Sequence, residues 1–199
     1  MVLASLISGA GATAYMDGWN SCGPQCCFGA LYSGDIETLE YSYPIQINRY
    51  GLVQDSGGAG KYRGGCGTVW EVEPINHEMT VISFGEGRHH PSLGTNNAVS
   101  AMPERKVGSI ELKNGEEVSE LMKKNAILTI KEGQRVSTSN PGGGGWGHPF
   151  DRDPAAVTND VRNGYVSIEA ARVEYGVVIN PNDFSVDQAS TQTLRSNRI

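Results

Sequence analysis

The chain has 199 residues, of which 19% are charged and 8% aromatic, with a formal net charge of −6. That length and mix fit one folded domain or two small ones and exclude a disordered chain. The acidic balance excludes a general nucleic-acid binder, and no apolar run approaches the ~20 residues that span a bilayer, so a cytoplasmic protein is expected.

Glycine sets the chain's character, with 26 residues against a usual share of ~7%. Residues 1–34 are glycine-rich and irregular, with Gly9, Gly11, Gly18, Gly23, Gly29 and Gly34. Met1 to Ala10 is apolar but lacks the positive start of a secretory signal and is too short for one, and Met1 to Ile7 reads as a segment covered by a partner or belonging to the interior of something larger. Cys22, Cys26 and Cys27 form a C-x3-C-C pattern with no nearby histidine, and Cys66 stands apart. Zinc sites want paired ligands at recognisable spacing, so buried reduced thiols are expected and no metal site is assigned.

From Leu39 to Ile47, apolar residues alternate with Glu40, Ser42, Pro44 and Gln46, which predicts a half-buried strand, with Pro44 at an edge or near a bulge. A second glycine loop runs from Asp55 to Gly65. It fails the P-loop pattern because Asp55 and Tyr62 occupy the places of the required glycine and Ser/Thr. The bland reading of this loop is a tight turn with solvated charges. The functional reading turns Lys61 and Arg63 toward an anionic substrate or a partner chain. Thr68 to Glu73 and Met79 to Phe84 predict two further strands. Arg88-His89-His90 sits in a loop after them, and with His77 and His148 completes the histidines. Their spacing matches no metal motif, so a surface or interface role is expected.

Gly108 to Leu112 and Ile127 to Ile130 predict strands around a turn at Lys113 to Glu116, and Glu132 to Thr138 returns toward the densest glycine stretch, Asn140 to Phe150. Four consecutive glycines, Gly142 to Gly145, with Gly147 beyond them, belong where backbone must approach backbone or a ligand. Gly142-x-Gly144-x-x-Gly147 spells the dinucleotide fingerprint, but no parallel βαβ unit surrounds it and Pro149 follows, so that site is rejected. Asp153 and Pro154 then predict an N-cap and first residue of a helix running to about Asn163. The glycine loop and that helix start could together face an anion. A second helix is predicted from Ile168 to Tyr175, capped by Ser167 and stopped by Gly176, followed by a short strand at Val177 to Ile179 and a polar tail.

Three strings in this order, Asp55-Ser-Gly-Gly-Ala-Gly-Lys-Tyr-Arg-Gly-Gly, Asn140-Pro-Gly-Gly-Gly-Gly-Trp-Gly-His-Pro-Phe-Asp-Arg-Asp-Pro and Gly164-Tyr-Val-Ser-Ile-Glu-Ala-Ala-Arg-Val-Glu-Tyr-Gly-Val-Val, resemble the C-terminal portion of the hydantoinase B/oxoprolinase family. The resemblance spans about residues 9–180. It implies a part in an ATP-dependent complex that phosphorylates an amide or enolate oxygen and then hydrolyses or carboxylates the activated species. ATP and Mg would be bound by a hydantoinase A-type partner subunit. A divalent metal, if present, would belong to an N-terminal B-type portion that this sequence does not contain, so a split subunit or a fragment needing a complement is implied. The segment from Asp17 to Pro24, with Ser33 to Glu40, is similar to the ketone carboxylases, which would add a ketone and bicarbonate as reactants. The alternative is a cyclic-amide hydrolase of the hydantoinase, oxoprolinase or caprolactamase kind. An alternative of another class is a non-catalytic assembly module.

The expected fold is therefore α+β and β-rich, with mostly antiparallel strands, glycine-rich loops and two short C-terminal helices. Residues 1–34 form an irregular segment, 35–180 the hydantoinase B-like domain and 181–199 a polar tail. Lys61, Arg63, Gly143, Gly144 and His148 are the candidate contacts for substrate, bicarbonate or phosphate, and no catalytic residue is assigned.

Overall fold

The computed structural model describes residues 8–22, 34–84, 90–101, 110–114, 117–120 and 125–196. Its strands are β1 (Ile45–Leu52), β2 (Thr68–Pro74), β3 (Met79–Phe84), β4 (Ile110–Asn114), β5 (Glu117–Glu120), β6 (Asn125–Ile130) and β7 (Gln134–Ser139). Its helices are α1 (Ile36–Ser42), α2 (Pro154–Arg162), α3 (Ile168–Tyr175) and α4 (Gln188–Ser196). Five strands form an antiparallel sheet in the order β1-β2-β7-β4-β5, and β3 pairs with β6 as a separate antiparallel ribbon.

The sheet and the ribbon are held together by apolar side chains. Ile45, Val72 and Val136 of the sheet and Ile130 of the ribbon are buried together, with Ile47, Trp70, Met79, Val81 and Leu128 against them. One link between the ribbon and the sheet is the turn after β6, where Gly133 has φ of +81° and Gln134 N donates to the Lys131 carbonyl. Strand β1 lies at the sheet edge and starts just after Pro44, and its register slips between Ile47 and Arg49.

The second core is helical. Val157 and Val161 of α2, Ala170, Ala171 and Tyr175 of α3, and Val177 and Ile179 beyond it enclose Ala59 of the second glycine loop. Both helices begin where their caps dictate. Asp153 accepts from Ala155 N at 3.0 Å, and Ser167 Oγ accepts from Ala170 N at 3.0 Å. Gly176 ends α3 in the left-handed region at φ of +63°.

Four expectations are corrected. Helix and strand content among the described residues is roughly balanced rather than β-rich. The alternation from Leu39 does not begin a strand: Asp35 accepts from Thr38 N at 3.1 Å and from Thr38 Oγ1 at 2.9 Å, and this cap starts α1 instead. The chain turns to strand only at Ile45, with Glu40 tying the two elements through Ile47 N at 2.7 Å. A third C-terminal helix, α4, stands in what reads as tail. Thr191 Oγ1 accepts from Val178 N at 3.0 Å and Arg195 Nε donates to the Tyr175 carbonyl at 3.1 Å, so tertiary partners order a polar sequence. The short strand expected at Val177 to Ile179 is reduced to one bridge, Ile179 with Val186. Among the described residues no helix is long and apolar enough to cross a membrane.

Candidate functional site

The glycine segments come together between the two cores. In a sheet a strand has two neighbours, but residues 141–147 bond to three other segments. Gly9 N and Ala12 N donate to the carbonyls of Pro141 and Gly144. Gly58 N donates to the Gly143 carbonyl, and Gly143 N to that of Gly65. Thr95 N donates to the Gly145 carbonyl, and Gly145 N to that of Val99. Bonds radiating in three directions suit a chain of the polyproline II kind, whose three residues per turn leave every amide and carbonyl free for neighbours.

Such an array closes only if side chains are absent. A Cβ on Gly143 would stand 2.6 Å from Gly11 N and closer still to the Ala10 carbonyl. On Gly144 it would stand 2.6 Å from the Leu93 carbonyl carbon, and on Gly64 2.6 Å from that of Gly143. The anion-facing possibility meets a specific obstacle here. The amides of Gly143, Gly145, Trp146 and Gly147 already donate to the carbonyls of Gly65, Val99, Tyr62 and Thr95. Lys61, Tyr62, Gly64 and Gly65 likewise spend their amides on Gly147, Trp146, Gly58 and Ala10. A 3₁₀ turn at Pro149–Asp151 separates the array from α2, whose N-terminus is closed by the Asp153 carboxylate.

Beside the array lies a buried charge cluster that pattern reading misses. Arg152 binds Asp17 with both ends of its guanidinium, at 2.6 and 2.7 Å, and Asp160 through Nε at 3.1 Å and Nη2 at 2.7 Å. It also donates to the Lys61 carbonyl at 3.0 Å, and its own carbonyl accepts from Arg195 at 2.8 Å. One side chain thus ties the first loop, the second glycine loop and α2 together, while its backbone holds α4. Arg63 completes the cluster: Nε is 3.5 Å from Asp160 Oδ1, Nη1 donates to the Gly64 carbonyl, and the guanidinium lies over the Tyr165 ring at 5.1 Å. The Tyr175 hydroxyl is buried and makes no hydrogen bond.

Burial pushes the Asp160 carboxyl up in spite of the two arginines that face it. Burial acts on Asp17 in the same sense, but the paired Arg152 guanidinium and the Arg63 amide outweigh it and hold that carboxyl below its ordinary value. Burial also pushes the Cys66 thiol up, so it resists forming the thiolate that a nucleophile needs. Every carboxylate of the cluster is matched by a guanidinium. Its chemistry is that of a lock, not of an acid–base pair.

The five sequence candidates separate in space and role. Gly143 and Gly144 are buried inside the array, and Arg63 is buried in the charge cluster. Lys61 is exposed, with Nζ 5.7 Å from the Tyr62 ring centre. His148 is half-buried, accepts from Phe150 N through Nδ1 at 3.1 Å and packs edge-on to the Phe150 ring at 5.3 Å. Lys61 and His148 flank Gly147, whose amide and carbonyl bind Thr95 and Lys61. Cys22 and Cys66 are free thiols, while Cys26, Cys27, Arg88 and His89 lie outside the described residues. No group of three His, Cys, Asp or Glu among the described residues is placed to hold a metal ion.

Asp160 had a signal in the sequence. It stands three positions after Val157, on the same helix face, and a carboxylate on an apolar face implies a buried partner. Arg152 had none, because Asp151-Arg152-Asp153 reads as a solvated charge run.

Comparison with known proteins places these features in a lineage. Over 196 residues, 98% of the chain, the sequence is 54% identical to caprolactamase subunit beta of Pseudomonas jessenii. The crystal structure of the ATP-dependent caprolactamase from that organism superposes with a TM-score of 0.81 over 98% of this chain, at 49% identity. A nucleotide-free structure of acetone carboxylase superposes over 96% of the chain and 29% of that chain, with a TM-score of 0.71 at 27% identity. The chain spans about a third of the caprolactamase subunit, 34% of its length. Residues 1–149, which carry both glycine loops and the whole of the sheet, match Hydantoinase B/oxoprolinase, and the chain belongs to that family.

Proposed function

We propose that this chain forms part of the B-type subunit of an ATP-dependent cyclic-amide hydrolase acting on a lactam-like ring. The observation that carries the reading is 54% identity to caprolactamase subunit beta across nearly the whole chain. The weaker 27% identity to acetone carboxylase makes ketone carboxylation, which the segments at Asp17 and Ser33 favoured on sequence, the second reading. In either case the glycine array and the Arg152 cluster supply a rigid frame. Nucleotide and Mg are assigned to an A-type partner, a reading supported by the amides of Gly143, Gly145, Trp146 and Gly147, which already donate within the frame. Lys61 and His148, on the side of the frame that carries Gly147, are the side chains assigned to contact with substrate or partner. Arg63, Gly143 and Gly144 act by holding them in place.

The test is an assay of the complex containing this chain, with ATP and either a lactam or a ketone plus labelled bicarbonate. Phosphate release matched by ring-opened amino acid supports the first reading. Phosphate release matched by label fixed into a keto acid replaces it with the second. Lys61→Ala and His148→Ala should raise KM or lower kcat while leaving the complex assembled. Loss of assembly instead would assign these residues to docking.

A further inference from the structure

The loop from Ala10 to Trp19 is a small hairpin with a fixed backbone. Ala10 N donates to the Trp19 carbonyl at 2.9 Å and Thr13 N to the Met16 carbonyl at 3.0 Å. Thr13 Oγ1 accepts from the amides of Tyr15 and Met16 at 3.3 and 3.2 Å. Its base is anchored through Gly18 N to the Arg63 carbonyl, Ala12 N to that of Gly144, and the Asp17–Arg152 pair. Yet Tyr15 is 88% exposed, Trp19 68% and Met16 49%. Leu93, 77% exposed, sits across Gly144 from Ala12. The hairpin's one charge, Asp17, is engaged by Arg152, so the outward surface is neutral, apolar and aromatic.

We propose that this hairpin is the docking element for the remaining portion of a B-type subunit. The proposal rests on the reading above that the chain works with such a portion. Three large apolar side chains on a rigid loop form a contact whose ordering cost is already met by the fold, the composition expected of an interface centre. The same group left in water would be an aggregation liability, which favours a permanent occupant over a transient one. The chain covers 34% of the caprolactamase subunit, so in a subunit of that length two thirds of the polypeptide lies outside these residues and is available as the occupant.

The test compares the isolated 199-residue chain with the complex purified from its source. Hydroxyl-radical labelling of Tyr15, Met16 and Trp19 should fall about fivefold or more on assembly. A photo-crosslinker in place of Tyr15 should capture a B-type polypeptide. Unchanged labelling overturns the proposal, as does capture of the ATP-binding subunit, of a second copy, or of another segment within these 199 residues. In the chain alone, Tyr15→Ser with Trp19→Ser should leave Tm unchanged and sedimentation monomeric. Conversion of a dimer to monomer by these substitutions would instead make the hairpin a self-contact and sink the assignment. Protection without lactam hydrolysis would refute only the proposed function. Hydrolysis with Tyr15 crosslinked elsewhere would refute only the docking role.

Discussion

Gly143→Ala is the sharpest probe of the backbone array. The added Cβ would stand 2.6 Å from Gly11 N, whereas ordinary contact begins at 3.4 Å. Every near atom belongs to backbone, so no side chain can swing aside, and one segment must retreat by about 0.8 Å or more. Moving Gly143 away from Ala10 and Gly11 stretches the bonds that join those two segments, Gly9 N to Pro141 at 3.1 Å and Ala12 N to Gly144 at 2.9 Å. Overpacking costs roughly 1–3 kcal/mol and each weakened hydrogen bond about 1 kcal/mol, so a loss of about 3 kcal/mol or more is expected. In a chain of this size that lowers Tm by roughly 6–12 °C. Gly51→Ala is the matched control, because a Cβ there meets nothing within 4 Å and it lies on edge strand β1. It should be neutral or stabilise by about 0.5–1 kcal/mol. Urea unfolding of both variants reads the difference. If Gly143→Ala is no less stable than Gly51→Ala, the array is not held by backbone contact and the argument fails.

The charge cluster gives three further expectations. Arg152→Ala leaves Asp160 buried with only Arg63 near it and should cost about 3–5 kcal/mol, and Arg152→Lys should recover little of this because two carboxylates need the planar fork; thermal unfolding of both decides. Tyr175→Phe removes a buried hydroxyl without a partner and should change stability by less than about 1 kcal/mol at neutral pH. Burial raises the Tyr175 pKa, so its contribution is full below the unfolded value of about 10 and is lost as pH climbs beyond it. Urea midpoints from pH 9 to 11 should therefore fall less steeply in Tyr175→Phe. Asp17, held below its ordinary value, contributes stability above about pH 4 that is lost as pH falls through its folded pKa. Asp17→Asn should flatten the acid limb of Tm against pH between 5 and 3, and an unchanged slope would refute the pairing.

What the sequence revealed follows from where the information resides. Asp153, Ser167 and Gly176 act within a few residues of themselves, and the helices they bound lie where their chemistry puts them. Strands β2 and β3 were legible for the same local reason. Helix α4 was not, because its apolar content is small and its order comes from Thr191 and Arg195 reaching groups up to 43 residues away. The Asp17–Arg152 pair spans 135 residues and leaves no periodic trace in either neighbourhood. The glycine runs announced that something must come close, and the identity of that something, other stretches of the same chain, required the fold.

A frame built from bare backbone has a consequence for the side chains at its margins. Segments that touch through amides and carbonyls cannot rotate or slide by a fraction of an ångström without breaking several hydrogen bonds at once, unlike side chains, which can repack. Lys61, Trp19 and His148 each issue from a residue whose own or adjoining peptide is bonded into that frame. Their Cα positions are therefore fixed although Lys61 and Trp19 are exposed. Groups that must meet a partner or substrate in one geometry gain from such a mounting, since little orientation remains to be lost on contact. The glycines cost backbone entropy on folding, and the rigid placement of the residues around them is what that cost supports.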